Sequence, residues 1–254
     1  MIRWGIIGPG KIAARFARSM TVVDDGRIVA VASRSAERAG AFADEFDIAG
    51  RYDDVRALVD DPDVDAVYVA TPHSRHEADT VRCLEAGKHV LCEKPIALNA
   101  AQAGRMIAAA EAGGRFLMEA VWSRFLPSYR ALVDLVSGGR IGTPMQVDAD
   151  FGFRVPVDPA HRLFDPHQGG GALLDLGIYP LQLCTLVLGP VEHVAAAAVL
   201  ARCLRAATWA PSGANAQAWR FVWARGRHGP VRRHAVADVT FLDRWDEPAT
   251  DLAG

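Results

Sequence analysis

The sequence has 254 residues, of which 50% are hydrophobic and 23% are charged, and its formal net charge is -2. That length suffices for two modest domains with a buried core, and the composition is ordinary for a soluble globular protein. The near-neutral charge gives no reason to expect a nucleic-acid or membrane partner. No apolar run approaches the ~20 residues of a membrane span.

The four cysteines form no C-x-x-C pair, so we expect neither a zinc site nor a disulfide framework. Nor do the histidines have the spacing of metal ligands, and no metal is expected. The N-terminus enters a strand-like run at Ile2 without a basic-then-apolar leader. These features favour a cytoplasmic setting.

Short apolar runs alternate with helical patterns through the first half of the chain. The predicted strands are 2–8, 27–33, 64–72, "KHVLCEKP" and "RFLMEA", and the predicted helices are 11–20, 35–46, 74–86 and about 99–112. Near-continuous apolar strands separated by helices predict βαβ units, in which a parallel sheet is covered on both faces. We therefore predict an α/β, doubly wound first domain over residues 1–121.

The pattern changes after Ala120. Residues 143–155 alternate apolar with polar or small side chains, which predicts a half-exposed strand typical of an antiparallel sheet. Residues 169–189 form a glycine-rich lead-in to an apolar helix, and 192–200 could be another strand. This predicts a second domain of the α+β type, with a mainly antiparallel sheet, over residues 122–200.

The last segment, residues 201–254, has a different composition. No Asp or Glu occurs between Glu192 and Asp238, arginines are frequent, and four of the six tryptophans lie in this tail. The shift marks a third, atypical region.

A glycine motif follows the first strand and opens the first helix, in the order Gly8-Pro9-Gly10-Lys11-Ile12-Ala13. In a G-x-G-x-x-A motif the first glycine makes the tight turn and the second lets a pyrophosphate approach the backbone at the helix N-terminus. Because the motif lies between a strand and a helix, it predicts dinucleotide binding rather than an ordinary glycine turn.

The end of the second strand bears on which nucleotide binds. Where an NAD site usually has an acidic residue, this chain has Ser33 and Arg34. A guanidinium can bind a 2′-phosphate in bidentate fashion and Ser33 can donate to it, so the sequence favours NADP over NAD. The alternative is that Arg34 simply begins the next helix on the surface.

The apolar run 89–92 ends in Glu93-Lys94-Pro95, where a carboxylate, an ammonium and a rigid residue are adjacent. A surface turn is the plain interpretation. A functional one also exists, because ligands of open α/β sheets bind beyond the carboxyl ends of the strands.

With these motifs in order, residues 1 to about 200 resemble the Gfo/Idh/MocA oxidoreductases, most closely the dihydrodiol dehydrogenase and NADP-dependent D-xylose dehydrogenase branch. The stretches that carry the resemblance are "ATPHSRH", "EKP", "FLMEAVWSRFLPSYRAL", "DFGFR", "HRLFDP" and "GGGALLDLGIYPLQL". The resemblance implies a Rossmann domain followed by a substrate domain that is shorter here than in the family.

The resemblance also implies roles for particular residues. Lys94 would contact the substrate hydroxyl or carbonyl, while Glu93 and Pro95 would fix its loop. Asp175 and Tyr179, four residues apart on a predicted helix, would reach the same pocket. Tyr179 stands where most of the family has histidine, and a phenol needs a cationic neighbour to act as a base. The alternatives are an Asp175 carboxylate satisfied by the glycine turn and a Tyr179 that is a core aromatic.

Further positions follow from the same resemblance. Thr71, Pro72 and His76 would surround the cofactor, although His76 could instead be a surface histidine of a helix. The substrate pocket would be built from residues that could equally be packing, namely Trp122, Arg124, Phe153 and Arg154.

The function so implied is hydride transfer between NADP and a sugar or cyclic-diol hydroxyl carbon, in an enzyme that could form a homodimer. The alternative is a catalytically silent dinucleotide-binding protein with an incomplete substrate domain, from a truncated or fused gene. A weaker idea is that the basic tail binds an acidic partner. Part of the tail, "APSGANAQAWRF", is similar to the N-terminal part of nitroreductases, where Ser212 and Asn215 would lie near a flavin. The match is short, so FMN binding is not expected.

Overall fold

The computed structural model describes residues 1–153, 155–156, 158 and 161–190. The chain divides into two compact units. The first contains Met1–Trp122 and Asp158–Asp175, and the described residues of the second are those of 123–156 and 176–190. The main segment of the first unit ends at Trp122, and the unit also takes in 158–175. The segments predicted as a strand over 192–200 and as a tail over 201–254 lie outside the described residues.

The first unit is built on a parallel sheet in the order β3-β2-β1-β4-β5-β6. Its strands are β1 (Ile2–Ile7), β2 (Gly26–Ala32), β3 (Gly50–Tyr52), β4 (Ala66–Val69), β5 (His89–Glu93) and β6 (Leu117–Ala120). Its helices are α1 (Lys11–Met20), α2 (Ala36–Phe46), α3 (Val55–Val59), α4 (His76–Glu85) and α5 (Ala100–Gly113), followed later by α7 (Ala172–Asp175). The predicted doubly wound Rossmann fold is confirmed.

Helices cover both faces of this sheet, because successive strand residues point to opposite sides. Ile7 belongs to one buried cluster, with residues of α3, α4 and α5. Its neighbour Ile6 belongs to a second cluster, with Ala13 of α1 and Phe42 of α2. The near-continuous apolar strands predicted from the sequence are therefore buried on both faces.

Local signals set the helix starts. The Ser35 side chain accepts a hydrogen bond from the Arg38 amide at the start of α2, and the Asn99 side chain accepts one from Gln102 at the start of α5. Two short elements, β3 and α3, were not predicted, because each is too brief to show a periodic pattern.

The strand register brings the predicted site residues to one edge of the sheet. Ile7 pairs with Ala32 on one side and Val69 on the other, Val69 pairs with Cys92, and Cys92 pairs with Glu119. The residues that follow this row lie at the carboxyl ends of parallel strands. That edge is where ligands of open α/β sheets bind.

In the second unit, α6 (Pro127–Ser137) and α8 (Ile178–Leu188) contribute to one small apolar cluster. Val147 and Ala149 pack in it, as their alternating pattern predicted. The described residues of 143–155 nevertheless form no strand, because a strand needs a paired neighbour and the described part of the unit supplies none. The predicted antiparallel sheet is not represented among those residues.

The single helix predicted after the glycine run is wrong. Helix α7 ends at Asp175 and α8 begins at Ile178, so Asp175 and Tyr179 do not share one helix. The Tyr179 amide bonds to the carbonyl of Leu176, three residues back, and Gly177 caps α8. A turn closed by a 3₁₀-type bond therefore separates the two helices. In the described part of the chain, no single helix is both long and apolar enough to cross a membrane, and only the adjacent segments Pro166–Asp175 and Ile178–Leu188, counted together, reach that length and apolarity.

Candidate active site

The glycine motif forms a tight turn at the end of β1. Gly8 has a φ of +90°, and a Cβ added there would lie 2.8 Å from the carbonyl oxygen of Ala70. The Gly8 amide donates to the Ala32 carbonyl of β2 at 3.1 Å. Both the backbone conformation and the close approach of the β4 end therefore require glycine here.

Gly10, the N-cap of α1, faces open space instead. A Cβ added there would meet no atom within 4 Å, and no side chain caps the helix. The backbone amides of the first turn thus face a gap that a phosphate could fill. Lys11 and Ile12, the next two residues of the motif, are exposed.

The end of β2 carries the residues that bear on nucleotide preference. Ser33 is buried, and its hydroxyl accepts a hydrogen bond from the Ser35 amide at 3.2 Å. Arg34 is exposed. Arg38, which the sequence analysis overlooked, donates from Nη2 to the Pro9 carbonyl at 3.2 Å and so reaches the glycine turn. Its spacing from Arg34 gave no signal, because Arg34 precedes the N-cap Ser35 and the two arginines do not share a helical face.

His76, predicted to lie near the cofactor or else on the surface of a helix, is fully buried and so is not a surface histidine. Its place beside the cofactor stays a prediction. Nδ1 lies 2.8 Å from the Pro95 carbonyl and Nε2 lies 2.8 Å from the Thr71 carbonyl. Burial lowers its pKa, against the hydrogen bonds to Pro95 and Thr71 that raise it. His76 therefore joins the loops after β4 and β5.

Lys94 and Asp175 form a largely buried ion pair. Lys94 Nζ donates to the Asp175 carbonyl at 2.6 Å and to Oδ1 at 3.1 Å, and only 15% and 10% of the two side chains are exposed. The structure thus brings together two of the three predicted catalytic residues. The carboxylate bonds to the ammonium rather than to the glycine turn, which was the alternative.

Two further basic side chains, neither of them predicted from the sequence, face the same carboxylate. His73 Nε2 and Arg162 Nη1 each lie 3.8 Å from Asp175 Oδ1. His73 is buried, and this burial lowers its pKa to about 4. Its Nδ1 lies 3.0 Å from the Gly169 carbonyl, which can only accept, so Nδ1 carries the proton. His73 stands in "ATPHSRH" and Arg162 in "HRLFDP", the stretches that carried the resemblance.

The glycine run places Asp175. Gly169 has a φ of +75°, and a Cβ there would lie 2.9 Å from the Cβ of His73. A Cβ on Gly170 would lie 2.7 Å from the Arg162 carbonyl. Close backbone approach at both positions lets the segment leading to α7 reach the E-K-P turn.

Glu93 is buried beneath Lys94. One carboxylate oxygen accepts from the Tyr68 hydroxyl, and the other accepts from the Lys94 amide at 3.1 Å. Burial raises the Glu93 pKa, and the hydrogen bond from Tyr68 opposes that rise. Glu93 therefore contacts the turn rather than solvent, and the Lys94–Pro95 peptide bond of that turn is cis.

Where the structure describes them, the remaining predicted catalytic and substrate-binding residues are either buried by packing or exposed at the surface. Tyr179 is buried and packs edge-to-face on Phe151, with ring centroids 5.0 Å apart. The predicted pocket residues Trp122, Arg124 and Phe153 are all exposed, and Arg154 lies outside the described residues. Among the described residues, no group of three or more His, Cys, Asp or Glu side chains could hold a metal ion.

Family sequence models match most of the chain. Residues 2–121 match the GFO_IDH_MocA oxidoreductase family with an NAD-binding Rossmann fold, and residues 129–208 match the GFO/IDH/MocA C-terminal domain. Residues 195–247 match the Nitroreductase family, a longer match than the sequence motif suggested. That segment lies outside the described residues.

Individual relatives agree. Trans-1,2-dihydrobenzene-1,2-diol dehydrogenase of Bos taurus is 42% identical over 190 residues, which are 74% of this chain and 56% of that protein. The chain therefore spans little more than half the length of the curated relatives it matches.

Two solved structures are similar over the same part of the chain. Aldose-aldose oxidoreductase from Caulobacter crescentus, complexed with glycerol, has a TM-score of 0.70 and 35% identity, covering 74% of this chain and 58% of its own. KijD10, a 3-ketoreductase from Actinomadura kijaniata in complex with NADP and TDP-benzene, has a TM-score of 0.66 and 36% identity, covering 74% and 57%. The glycine turn, the E-K-P turn and these matches together show that the chain belongs to the Gfo/Idh/MocA oxidoreductase family.

Proposed function

We propose that the protein is an NADP-dependent oxidoreductase that transfers a hydride between the nicotinamide and a hydroxyl-bearing carbon of a sugar or cyclic diol. The observation that carries this proposal is the Lys94–Asp175 pair at the carboxyl edge of the sheet, the edge on which the glycine turn also lies. The names of the diol dehydrogenase and the aldose oxidoreductase support the substrate class.

The residues present fit a dinucleotide. The space beside Gly10 and the uncapped start of α1 would receive the pyrophosphate. The Thr71 hydroxyl is buried and, among the described residues, has no hydrogen-bond partner, so it can serve a polar ligand at this edge. Arg34, with Arg38 beside the glycine turn, would bind the 2′-phosphate of NADP. The KijD10 structure contains NADP, which is in keeping with this preference.

The chain's own residues would then act at the substrate oxygen. When bound, the nicotinamide supplies the hydride acceptor or donor. In alcohol oxidation, Lys94 in its neutral amine form would accept the substrate hydroxyl proton at Nζ as the hydride leaves the carbon, and the ammonium so formed would pair with Asp175. In the reverse direction the ammonium would donate to the carbonyl oxygen, stabilise its developing negative charge and return the proton. The role of Tyr179, the third predicted catalytic residue, stays a prediction. Asp175 also restrains the ammonium. Because the ammonium is already held in place, less reorganisation is needed during the reaction.

The test is a fluorescence titration of the full chain with NADPH and with NADH, followed by a screen of sugars and diols for substrate-dependent NADPH production. We expect saturable binding that favours NADPH. In Arg34→Ala, NADPH binding should weaken roughly tenfold while NADH binding stays the same, since one charge-assisted hydrogen bond is lost. Equal binding of both nucleotides by the wild type would remove the NADP preference. Binding without turnover on any substrate would favour the silent dinucleotide-binding protein.

A further inference from the structure

The turn Lys94-Pro95-Ile96 is hydrogen-bonded at each of its three residues. The Lys94 amide donates to Glu93 at 3.1 Å, and the Pro95 carbonyl lies 2.8 Å from His76. The Ile96 amide donates to Oε1 of Glu119 at 2.7 Å, the shortest of the three bonds. Of these three bonds, only the last has a partner on β6, the strand next to β5 at the edge of the sheet.

Glu119 reaches the turn because of strand register. It lies on β6 opposite Cys92 of β5, two residues before Lys94. Its side chain therefore projects at the carboxyl edge, where the turn after β5 passes. Burial raises the Glu119 pKa, and the hydrogen bond from Ile96 opposes that rise. This half-buried carboxylate is restrained by the amide of Ile96, from which it accepts.

We infer that Glu119 is a positioning residue for Lys94. By accepting from the Ile96 amide, Glu119 restrains the turn that carries Lys94 from the side of β6. This inference rests on the proposed function for its effect on turnover. The hydrogen bond itself can be tested without turnover.

The physical reason is geometric. Lys94 is tied on one side by Asp175 and, through its own amide, by Glu93. Without Glu119, the Ile96 amide loses its acceptor, and the C-terminal half of the turn is free to rotate away from β6. A displacement of ~1 Å at a catalytic group can cost about a hundredfold in rate, while a cofactor held by the glycine turn would feel little of it.

The experiment compares Glu119→Leu with Glu119→Gln in the full-length chain. Leucine keeps a similar volume and removes the acceptor, whereas glutamine keeps a carbonyl acceptor and removes the charge. The measurements are hydrogen exchange of the Ile96 amide by NMR, NADPH affinity by fluorescence, and kcat and KM on the substrate found by screening.

We expect Glu119→Leu to speed Ile96 exchange at least tenfold and to lower kcat roughly 10- to 100-fold, with NADPH affinity within about threefold of the wild type. Glu119→Gln should restore most of the Ile96 protection and most of kcat. Unchanged Ile96 exchange in Glu119→Leu would overturn the inference, and so would a loss confined to NADPH affinity.

Two further outcomes are informative. If Glu119→Leu does not fold, the NMR chemical shift of the Ile96 amide in Glu119→Gln is the test. An amide that donates to the Glu119 carboxylate must change its chemical shift when the acceptor becomes a neutral amide. An unchanged chemical shift would overturn the inference. If the wild type binds NADPH but turns over no substrate, the proposed function fails. In that case faster Ile96 exchange in Glu119→Leu still supports the hydrogen bond, and unchanged exchange still overturns it.

Discussion

Lys88 and Lys94 stand at opposite ends of β5, and their ammonium groups meet different partners. Lys88 Nζ donates to the carbonyls of Asp61 and Val64 at 2.7 and 2.8 Å. Lys94 Nζ donates to the carbonyl of Asp175 and also to its carboxylate. The first lysine satisfies backbone acceptors at the amino edge of the sheet, whereas the second is held by an ionisable group at the carboxyl edge.

The same contrast separates the two ion pairs. Arg3 and Asp65 pair at 2.7 Å at the amino edge, with roughly a third of each side chain exposed. Asp175 is buried at the carboxyl edge and faces Lys94, His73 and Arg162. An exposed pair contributes little to stability, whereas the buried Asp175 carboxylate is held by the Lys94 ammonium, with the Arg162 guanidinium nearby. The two edges thus differ in how far their charged groups are removed from water.

Replacing each lysine by alanine is the strongest test of that contrast. Lys94→Ala should lower turnover by about 10³-fold, since the proposed proton acceptor and the charge near the substrate oxygen are both lost. Lys88→Ala, the matched control, should leave turnover within about twofold while lowering stability by about 1–3 kcal/mol, because two carbonyls lose their donor. Substrate-dependent NADPH production and urea unfolding measure the two effects.

The contrast between the edges would collapse under either of two results. One is a Lys94→Ala protein that turns over substrate like the wild type. The other is a Lys88→Ala protein that is equally stable but inactive.

Much of this arrangement could be predicted from the sequence. The alternation of apolar strands with helices, and the glycine motif after β1, predicted the main strands and helices of the first unit, though not β3, α3 or the return of residues 158–175. Lys94 drew attention because it directly follows a strand, and the family resemblance then implied its role. His73 and Arg162 could not, because their relation to Asp175 depends on the glycine run bringing residues 158–175 back to the first unit. The depth of His76 was missed because a helix start is usually exposed, whereas here it lies under a second loop.

The glycine turn allows a sharper test of the ligand edge, because Gly8 and Gly10 differ in what surrounds them. Gly10→Ala should leave the unfolding midpoint nearly unchanged, since its new Cβ meets no protein atom. It should weaken NADPH roughly 10- to 100-fold, because that Cβ occupies the phosphate's space. Gly8→Ala should instead destabilise the fold by about 1–3 kcal/mol, through its positive φ and its contact with Ala70. Thermal unfolding and NADPH titration distinguish the two, and a Gly10→Ala protein that binds NADPH normally would place the phosphates elsewhere.

Acid should affect the carboxyl edge first. The pKa of His73 is lowered to about 4 by burial, below its ordinary 6.5, so the unfolded chain takes up the proton first as pH falls. Stability should therefore decline between pH ~6.5 and ~4, by on the order of 2–3 kcal/mol. His73→Asn keeps a donor for the Gly169 carbonyl and cannot titrate, so its stability should decline less than that of the wild type across that window, while buried His76 titrates in both proteins. Urea midpoints at several pH values give the comparison, and a wild type that declines no more than the variant would contradict the burial of a neutral His73.

As pH falls, the amino edge should lose stability at a lower pH than the carboxyl edge, and by a smaller amount. The Arg3 guanidinium, through its hydrogen bond, holds the pKa of Asp65 at about 2, against the ordinary 3.8. Because that pKa is depressed, the pair's contribution is complete above pH ~4 and is lost as pH falls toward about 2. Solvent screening of this exposed pair keeps the contribution at or below about 1 kcal/mol. Asp65→Asn should thus be slightly less stable than the wild type at neutral pH, and the difference should vanish near pH ~2. Matched urea titrations at those two pH values measure it. Each variant differs from the wild type by an amount of stability that changes with pH. If that change were larger for Asp65→Asn than for His73→Asn, the amino edge, and not the buried carboxyl edge, would dominate the acid response.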